Sequence, residues 1–237
     1  MKKEKILFYK IKFIIIGEAN VGKTNLIHRF AKGEFNSEYA ITLGIDYLSH
    51  NVQLDDKLFN LELWDTAGSE KFRSISKGYY KNTACALIMY DISERKSFEK
   101  VKMWIDDCKS YTNKNTDMIL IGNKSDLNES RQVSLEEGKN LADENFMQFY
   151  ETSALTGENV ETVFFEECKI IAKKIDEGKY DFSEESIGLK KCYTTRDMVI
   201  NKRTFSSVSD MNSKNSKIKL KRNQSEQINK RKKRKFC

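Results

Sequence analysis

Short, almost wholly apolar runs that alternate with helix-length stretches constrain this chain more than any other feature. "KFIIIG" (12–17), "ACALIMYD" (84–91), "MILIGN" (118–123) and "MQFYETSA" (147–154) have the length and continuity of strands buried on both faces. Helical stretches follow them at about 22–32, 96–111, 134–145 and 158–177. The segments "IDYLSHNVQL" (45–54) and "KLFNLELWD" (57–65) alternate in polarity around Asp55-Asp56, which predicts an antiparallel hairpin. Together these segments predict an α/β fold of three layers. Its sheet has six strands, mostly parallel with one antiparallel, and the four helical stretches cover it. In such a sheet ligands bind where strands end and helices begin, so the residues just after each strand carry the information.

Composition divides the chain in two. Residues 179–237 hold 17 Lys and Arg against six Asp and Glu, a surplus of 11; with +7 for all 237 residues, residues 1–178 are net −4. The basic character therefore belongs to the C-terminal part, and the acidic-leaning remainder excludes a nucleic-acid-binding domain of the usual basic kind. The predicted organisation is an N-terminal extension (1–9), one folded domain (10–178) and a flexible, variable polybasic tail (179–237). That tail has too few large apolar side chains to offset its ordering entropy.

Five cysteines, an odd number without metal-ligand spacing, speak against a disulfide framework or zinc site. No run approaches the roughly 20 apolar residues that span a bilayer. The apolar N-terminal run is interrupted by Lys10 and Lys12, which argues against a signal peptide.

After the first strand stands "GEANVGKT" (17–24), which fits G-x-x-x-x-G-K-[ST]. The backbone of Gly17, Glu18, Ala19, Asn20, Val21 and Gly22 can wrap a phosphate, and Lys23 can neutralise the outer oxygens. Thr24 offers a hydroxyl to Mg²⁺, and the helix start adds its positive end toward Asn25. This loop alone does not choose between adenine and guanine. "NKSD" (123–126) does: the Asp126 carboxylate can accept from both the N1–H and the exocyclic amine of guanine, a donor pair that adenine lacks. Lys124 can lay its methylene stem along the base, and Asn123 can tie this loop to the phosphate loop. In "TSA" (152–154), the backbone at Ser153, Ala154 and Leu155 can meet the base carbonyl.

With these motifs in order, residues 10 to 178 resemble the Ras-superfamily small GTPases. "LGIDY" (43–47), "LELWDTAGSEKFRSI" (61–75), "KGYYKNT" (77–83) and "LIMYDIS" (87–93) look most like the Rab branch. The resemblance implies a phosphate-loop G domain with about five helices that binds GTP or GDP with Mg²⁺ and hydrolyses GTP. Position by position, it implies that Thr42 senses the γ-phosphate and ligates Mg²⁺, and that Phe35 packs on guanine. Asp65 would hold Mg²⁺ through water, and the Gly68 N–H would meet the γ-phosphate. Loss of that phosphate would release both loops. Tyr47, Trp64 and Tyr79 match the aromatic triad that Rab proteins present to effectors.

Ser69 breaks the pattern. The family places glutamine here to orient the attacking water, and a serine hydroxyl is shorter and lacks the amide's separate donor and acceptor. The expectation is slow intrinsic hydrolysis. Leu155 likewise replaces a common lysine, and Ala19 and Asn20 replace residues that are usually Ser or Gly.

The chain ends "KRKKRKFC", with Lys230 to Lys235 all basic. A solvated charge run and a nuclear-localisation signal both fit this stretch. In a Rab-like protein, Cys237 resembles a prenylation site, and one lipid plus a polybasic patch suffices for attachment to an anionic leaflet. Rab tails usually carry two cysteines, and a C-a-a-X box is absent.

The expected protein is therefore a monomeric Rab-like switch on the cytoplasmic face of an intracellular membrane, with a cytosolic pool, serving vesicle traffic. Its implied partners are an exchange factor, an activating protein, a GDP-dissociation inhibitor, an escort protein and effectors, with no nucleic acid. The alternatives are a GTP-binding scaffold with little hydrolysis and a nuclear GTPase that uses the basic tail as its signal.

Overall fold

The computed structural model describes residues 5–37, 42, 44–68, 77–195 and 205–207. Strand β1 (Lys5–Gly17) runs through the middle of the sheet, which is why its second half is apolar on both faces. Ile11, Phe13 and Ile15 point to one core, Ile14 and Ile16 to the other, and all five are fully buried. β2 (Ile45–Leu54) and β3 (Lys57–Thr66) form the expected antiparallel hairpin, and β3 lies parallel to β1. On the other side stand β4 (Cys85–Asp91), β5 (Asp117–Asn123) and β6 (Gln148–Thr152), all parallel, in the order β6-β5-β4-β1-β3-β2.

The helices make the outer layers. α1 (Lys23–Lys32) and α5 (Val160–Asp176) cover one face; α3 (Val101–Tyr111) and α4 (Leu135–Glu144) cover the other. α5 buries Val160, Val163, Phe164, Cys168 and Ile171, a stripe with helical spacing. Its Phe164 ring stacks on Phe30 of α1 with centroids 3.9 Å apart. Each such buried side chain contributes about 1.5–3 kcal/mol. The expected helix over 96–111 is interrupted at Lys100, so that α2 (Arg95–Glu99) precedes α3. The Ser97 hydroxyl accepts from Asp91 N and donates to Glu94 O, which pins α2 to the end of β4.

Two further strands join the six expected ones, and the folded part runs past both expected boundaries. Residues from Lys5 onward, assigned to an extension, belong to β1. β7 (Leu189–Thr195) pairs antiparallel with the Lys5–Ile11 half of β1, and β8 (Phe205–Ser207) lies along β2. The segment that leads to β7 is well anchored. Ile187 and Leu189 are buried, Phe182 lies 5.9 Å from Tyr9, and Asn113 donates to Glu184 and Ser186. Gly188 has φ 68, and a Cβ there would sit 2.3 Å from Ala84 N, so only glycine lets the strap press so close. Composition averaged over 59 residues hid this stretch, whose apolar side chains are concentrated between Tyr180 and Leu189. Cys237, the Lys230–Lys235 run and Ser69 lie outside the described residues.

Candidate functional site

The carboxyl ends of β1, β3, β5 and β6 open on one cavity of about 400 Å³. Its floor at one end is the loop between β1 and α1. There Gly22 takes φ 95, and a Cβ would lie 2.4 Å from the amide nitrogen of Asn123. The first turn of α1 carries no side-chain cap and no acidic residue. Its N–H groups and positive dipole end are thus left for an anion. Lys23 is buried among them and donates to Gly17 O at 2.9 Å and Glu18 O at 2.7 Å. Burial pulls its ammonium down to about 8, against the opposing charges of Asp65 and Glu18. An anion beside it would restore the charged form.

Three oxygens meet next to this loop. Thr24 donates to Asp65 Oδ2, the Thr24 and Thr42 hydroxyls are 3.0 Å apart, and Thr42 Oγ1 is 3.4 Å from the same carboxylate oxygen. Asp65 is buried, which pushes its carboxyl up, and its Oδ1 has no hydrogen-bond partner. Two hydroxyls and one orphaned carboxylate oxygen suit Mg²⁺, which takes few protein ligands and fills its octahedron with water and phosphate oxygens. Gly68 presses on the phosphate loop: a Cβ there would come within 2.4 Å of Glu18 O and Ala19 N.

The other end is built from the loops after β5 and β6. Asn123 is buried; its amide donates to Val21 O at 2.8 Å and accepts from Thr152 Oγ1 at 3.0 Å. It therefore ties the two ends of the cavity together from the last position of β5. Lys124 adopts φ 64 and pairs with Asp91 at 2.6 Å, which holds its stem against the cavity wall. Ser153 donates to Asp126 Oδ1 and fixes the carboxylate.

Of the residues picked from sequence, Ala19, Asn20, Gly22, Lys23, Thr24, Asn25, Phe35, Thr42, Gly68, Asn123, Lys124, Asp126, Ala154 and Leu155 all line the cavity. Gly17, Glu18, Val21 and Ser153 stand behind the wall and act through neighbours: Gly17 and Glu18 hold Lys23, Val21 holds Asn123, and Ser153 holds Asp126. Sequence reasoning missed Ser37 and Leu127, which also line it, and the supports Asp91, Thr152, Trp104 and Arg29. Trp104 donates to Glu18 Oε1 at 3.2 Å, so α3 steadies the phosphate loop from below.

A second feature lies beside the cavity on the sheet face. Trp64 sits between Tyr47 and Tyr79, with ring centroids 5.3 and 5.6 Å away, and the two tyrosines are exposed. Lys12 organises this group. Its ammonium lies 4.8 Å from the Trp64 ring and donates to the carbonyls of Tyr79 and Lys81, and its backbone N–H reaches Gly188 O. Burial lowers its pKa to about 8.

A phosphate loop, a hydroxyl–carboxylate metal corner and a base loop on the carboxyl edge of a doubly wound sheet define a nucleotide-binding switch domain. The comparison with known families agrees: the model described as the Ras family matches residues 12–173, more than two-thirds of the chain. The chain belongs to the Ras family. It is thus a small GTPase, a member of a family that binds GTP and GDP with Mg²⁺ and works through exchange factors, activating proteins and effectors.

Proposed function

We propose that this GTPase is a Rab-like switch of membrane traffic that dwells long in its GTP state. Its nucleotide would lie with the phosphates on the Gly17–Thr24 loop and Lys23, and with guanine between Phe35, Lys124 and Asp126. The Ala154 and Leu155 backbone would face the base carbonyl. Thr24, Thr42 and Asp65 would hold Mg²⁺, which when bound neutralises phosphate charge. Thr42 and Gly68 then act as the sensors. Both sit against the phosphate loop in the same corner, so a γ-phosphate there anchors the segments on either side, and its loss frees them.

The observation that carries the Rab reading is the packed Tyr47–Trp64–Tyr79 array beside these two segments. Exposed aromatics clustered at a switch make interface anchors. Trp64→Ala should abolish binding of effectors captured only by the GTP-analogue-loaded protein while leaving GDP binding in place. Equal capture by the variant would contradict the reading.

Hydrolysis requires a water held in line with the γ-phosphorus while the bond to the bridging oxygen breaks. Ser69, where the family has glutamine, is too short to hold that water, so rapid turnover would need groups supplied by an activating protein. If no activating protein accelerates it, the chain works as a GTP-bound scaffold, the reading that Ser69 favours next. Attachment would use the basic tail with a prenyl group on Cys237, on the cytoplasmic face of an intracellular membrane, with a soluble pool kept by a GDP-dissociation inhibitor. Detergent partitioning of protein from cells should fall for Cys237→Ser; equal partitioning would contradict lipidation.

A further inference from the structure

We infer that Arg29, on the last turn of α1, is a positioning residue that sets how long guanine nucleotide stays bound, by aiming a backbone N–H at the base and tying that aim to the 33–37 segment that follows α1. The inference rests on the placement of guanine at the Asp126 end of the cavity.

The Arg29 guanidinium spreads its donors over three carbonyls on two different loops. Nε donates to Ala154 O, Nη2 to Leu155 O and Nη1 to Gly33 O, each at 2.7 Å. Charge-assisted hydrogen bonds from a planar fork are strong and directional, and a lysine cannot reproduce them. The first two bonds lie on consecutive residues of the loop after β6, and the third lies on the residue that caps α1 and opens the stretch leading to Phe35 and Thr42.

The consequence follows from peptide geometry. All described peptide bonds are trans, so the carbonyl of one residue and the N–H of the next point in opposite directions across a rigid plane. By drawing Ala154 O to itself, Arg29 turns the Leu155 N–H the other way. The neighbouring plane is fixed similarly, since Ser153 O accepts from Gly157 N at 2.8 Å, which orients the Ala154 N–H. Ala154 and Leu155 both line the cavity, beside Asp126. A purine 6-oxo group is the acceptor that complements N–H donors there, whereas Asp126 complements the N1–H and the amine. Leu155 brings no side-chain donor of its own, so recognition of the 6-oxo group falls on this backbone and on what holds it.

The Gly33 bond adds a coupling. Displacement of the 33–37 segment pulls on the same guanidinium that holds Ala154 and Leu155. Opening that segment therefore loosens the base loop as well, a direct route by which an exchange factor acting on one would release the other.

The test is nucleotide dissociation from the full chain, using GDP and 2-aminopurine riboside diphosphate, which keeps the amine but lacks the 6-oxo group and with it the N1–H; the lost N1–H contact to Asp126 is the same in wild type and in the Arg29 variants, so a change in the gap between the nucleotides reads the 6-oxo contact. Arg29→Ala should release GDP at least tenfold faster than wild type, and Arg29→Lys should fall between. The affinity gap between the two nucleotides, wide in wild type, should narrow in Arg29→Ala. A general loosening would speed both nucleotides equally and leave that gap unchanged, which would overturn the inference, as would GDP release within twofold of wild type. Thermal melting in saturating GDP checks that each variant is folded, and Arg29→Lys carries the test if Arg29→Ala is not. Asp126→Asn separates the underlying assumption: if it weakens GDP binding while the Arg29 variants behave as wild type, only the role of Arg29 fails. If neither matters, the placement of guanine fails with it.

Discussion

Asn123→Ala is the sharpest perturbation of the cavity's architecture. The Asn123 side chain is 1% exposed and makes two hydrogen bonds, one to Val21 O in the phosphate loop and one from Thr152 in β6. Each such bond contributes about 0.5–1.5 kcal/mol net, and stranding a buried partner costs about 1–3 kcal/mol. Truncation to alanine removes both bonds and leaves Val21 O and the Thr152 hydroxyl unpaired, so the loss should be about 2–4 kcal/mol. At roughly 2–4 °C per kcal/mol for a domain of this size, thermal unfolding in saturating GDP and Mg²⁺ should move down by about 5–15 °C. Thr152→Val removes one bond and keeps the shape, and should cost about 1–2 kcal/mol. The double variant should cost less than the sum, because both act through one network. GDP release should also accelerate by at least about 30-fold, the equivalent of 2 kcal/mol. If Asn123→Ala melts within about 2 °C of wild type and holds GDP as long, the bridge contributes nothing and the reasoning is refuted.

Other predictions address the rest of the molecule. Deleting residues 179–237 should lower the melting temperature and expose the Tyr9–Phe59 surface to apolar dyes, and Gly188→Ala should cost about 1–3 kcal/mol because of its left-handed backbone. A truncated chain as stable as the full one would contradict the docked strap. Glu167 of α5 is buried, accepts from Gln148, and is held well above the ordinary carboxylate range chiefly by burial and then by Asp117, with Lys174 opposing; Tyr180 also faces this cluster. Its folded pKa lies above the unfolded 4.5, so the stability it lends is complete below about 4.5 and is lost as pH rises from there through the raised folded value. Glu167→Gln should therefore gain on wild type as pH rises above about 4.5 in urea titrations; parallel pH profiles would count against the buried acid.

The parts of the fold that were legible in the sequence are those set by burial on both faces. β4 reads "CALIMYD" and β5 "DMILIGN" without interruption, and the hairpin announces itself by alternation. The cavity was legible for the same reason: Lys23 opens the helix after β1, Asn123 ends β5, and Asp126 and Ala154 follow β5 and β6 closely, at the edge where a doubly wound sheet binds. Residues that act through others were not. Arg29 reads as one cation on an amphipathic helix, Trp104 as one core aromatic and Thr152 as one strand hydroxyl. Each reveals its role only when chain segments far apart in sequence come within hydrogen-bonding distance. The strap was missed because a few apolar residues diluted in a polar stretch can still dock, provided that a partner surface such as Tyr9 and Phe59 awaits them.

The measurement that tests the account most directly is single-turnover hydrolysis of bound GTP by wild type and Ser69→Gln, each preloaded and started with Mg²⁺. A slow wild type and a glutamine variant at least tenfold faster are predicted, because the amide restores the group that holds the water. Equal rates in the two proteins would contradict the claim that this one residue sets the lifetime of the GTP state.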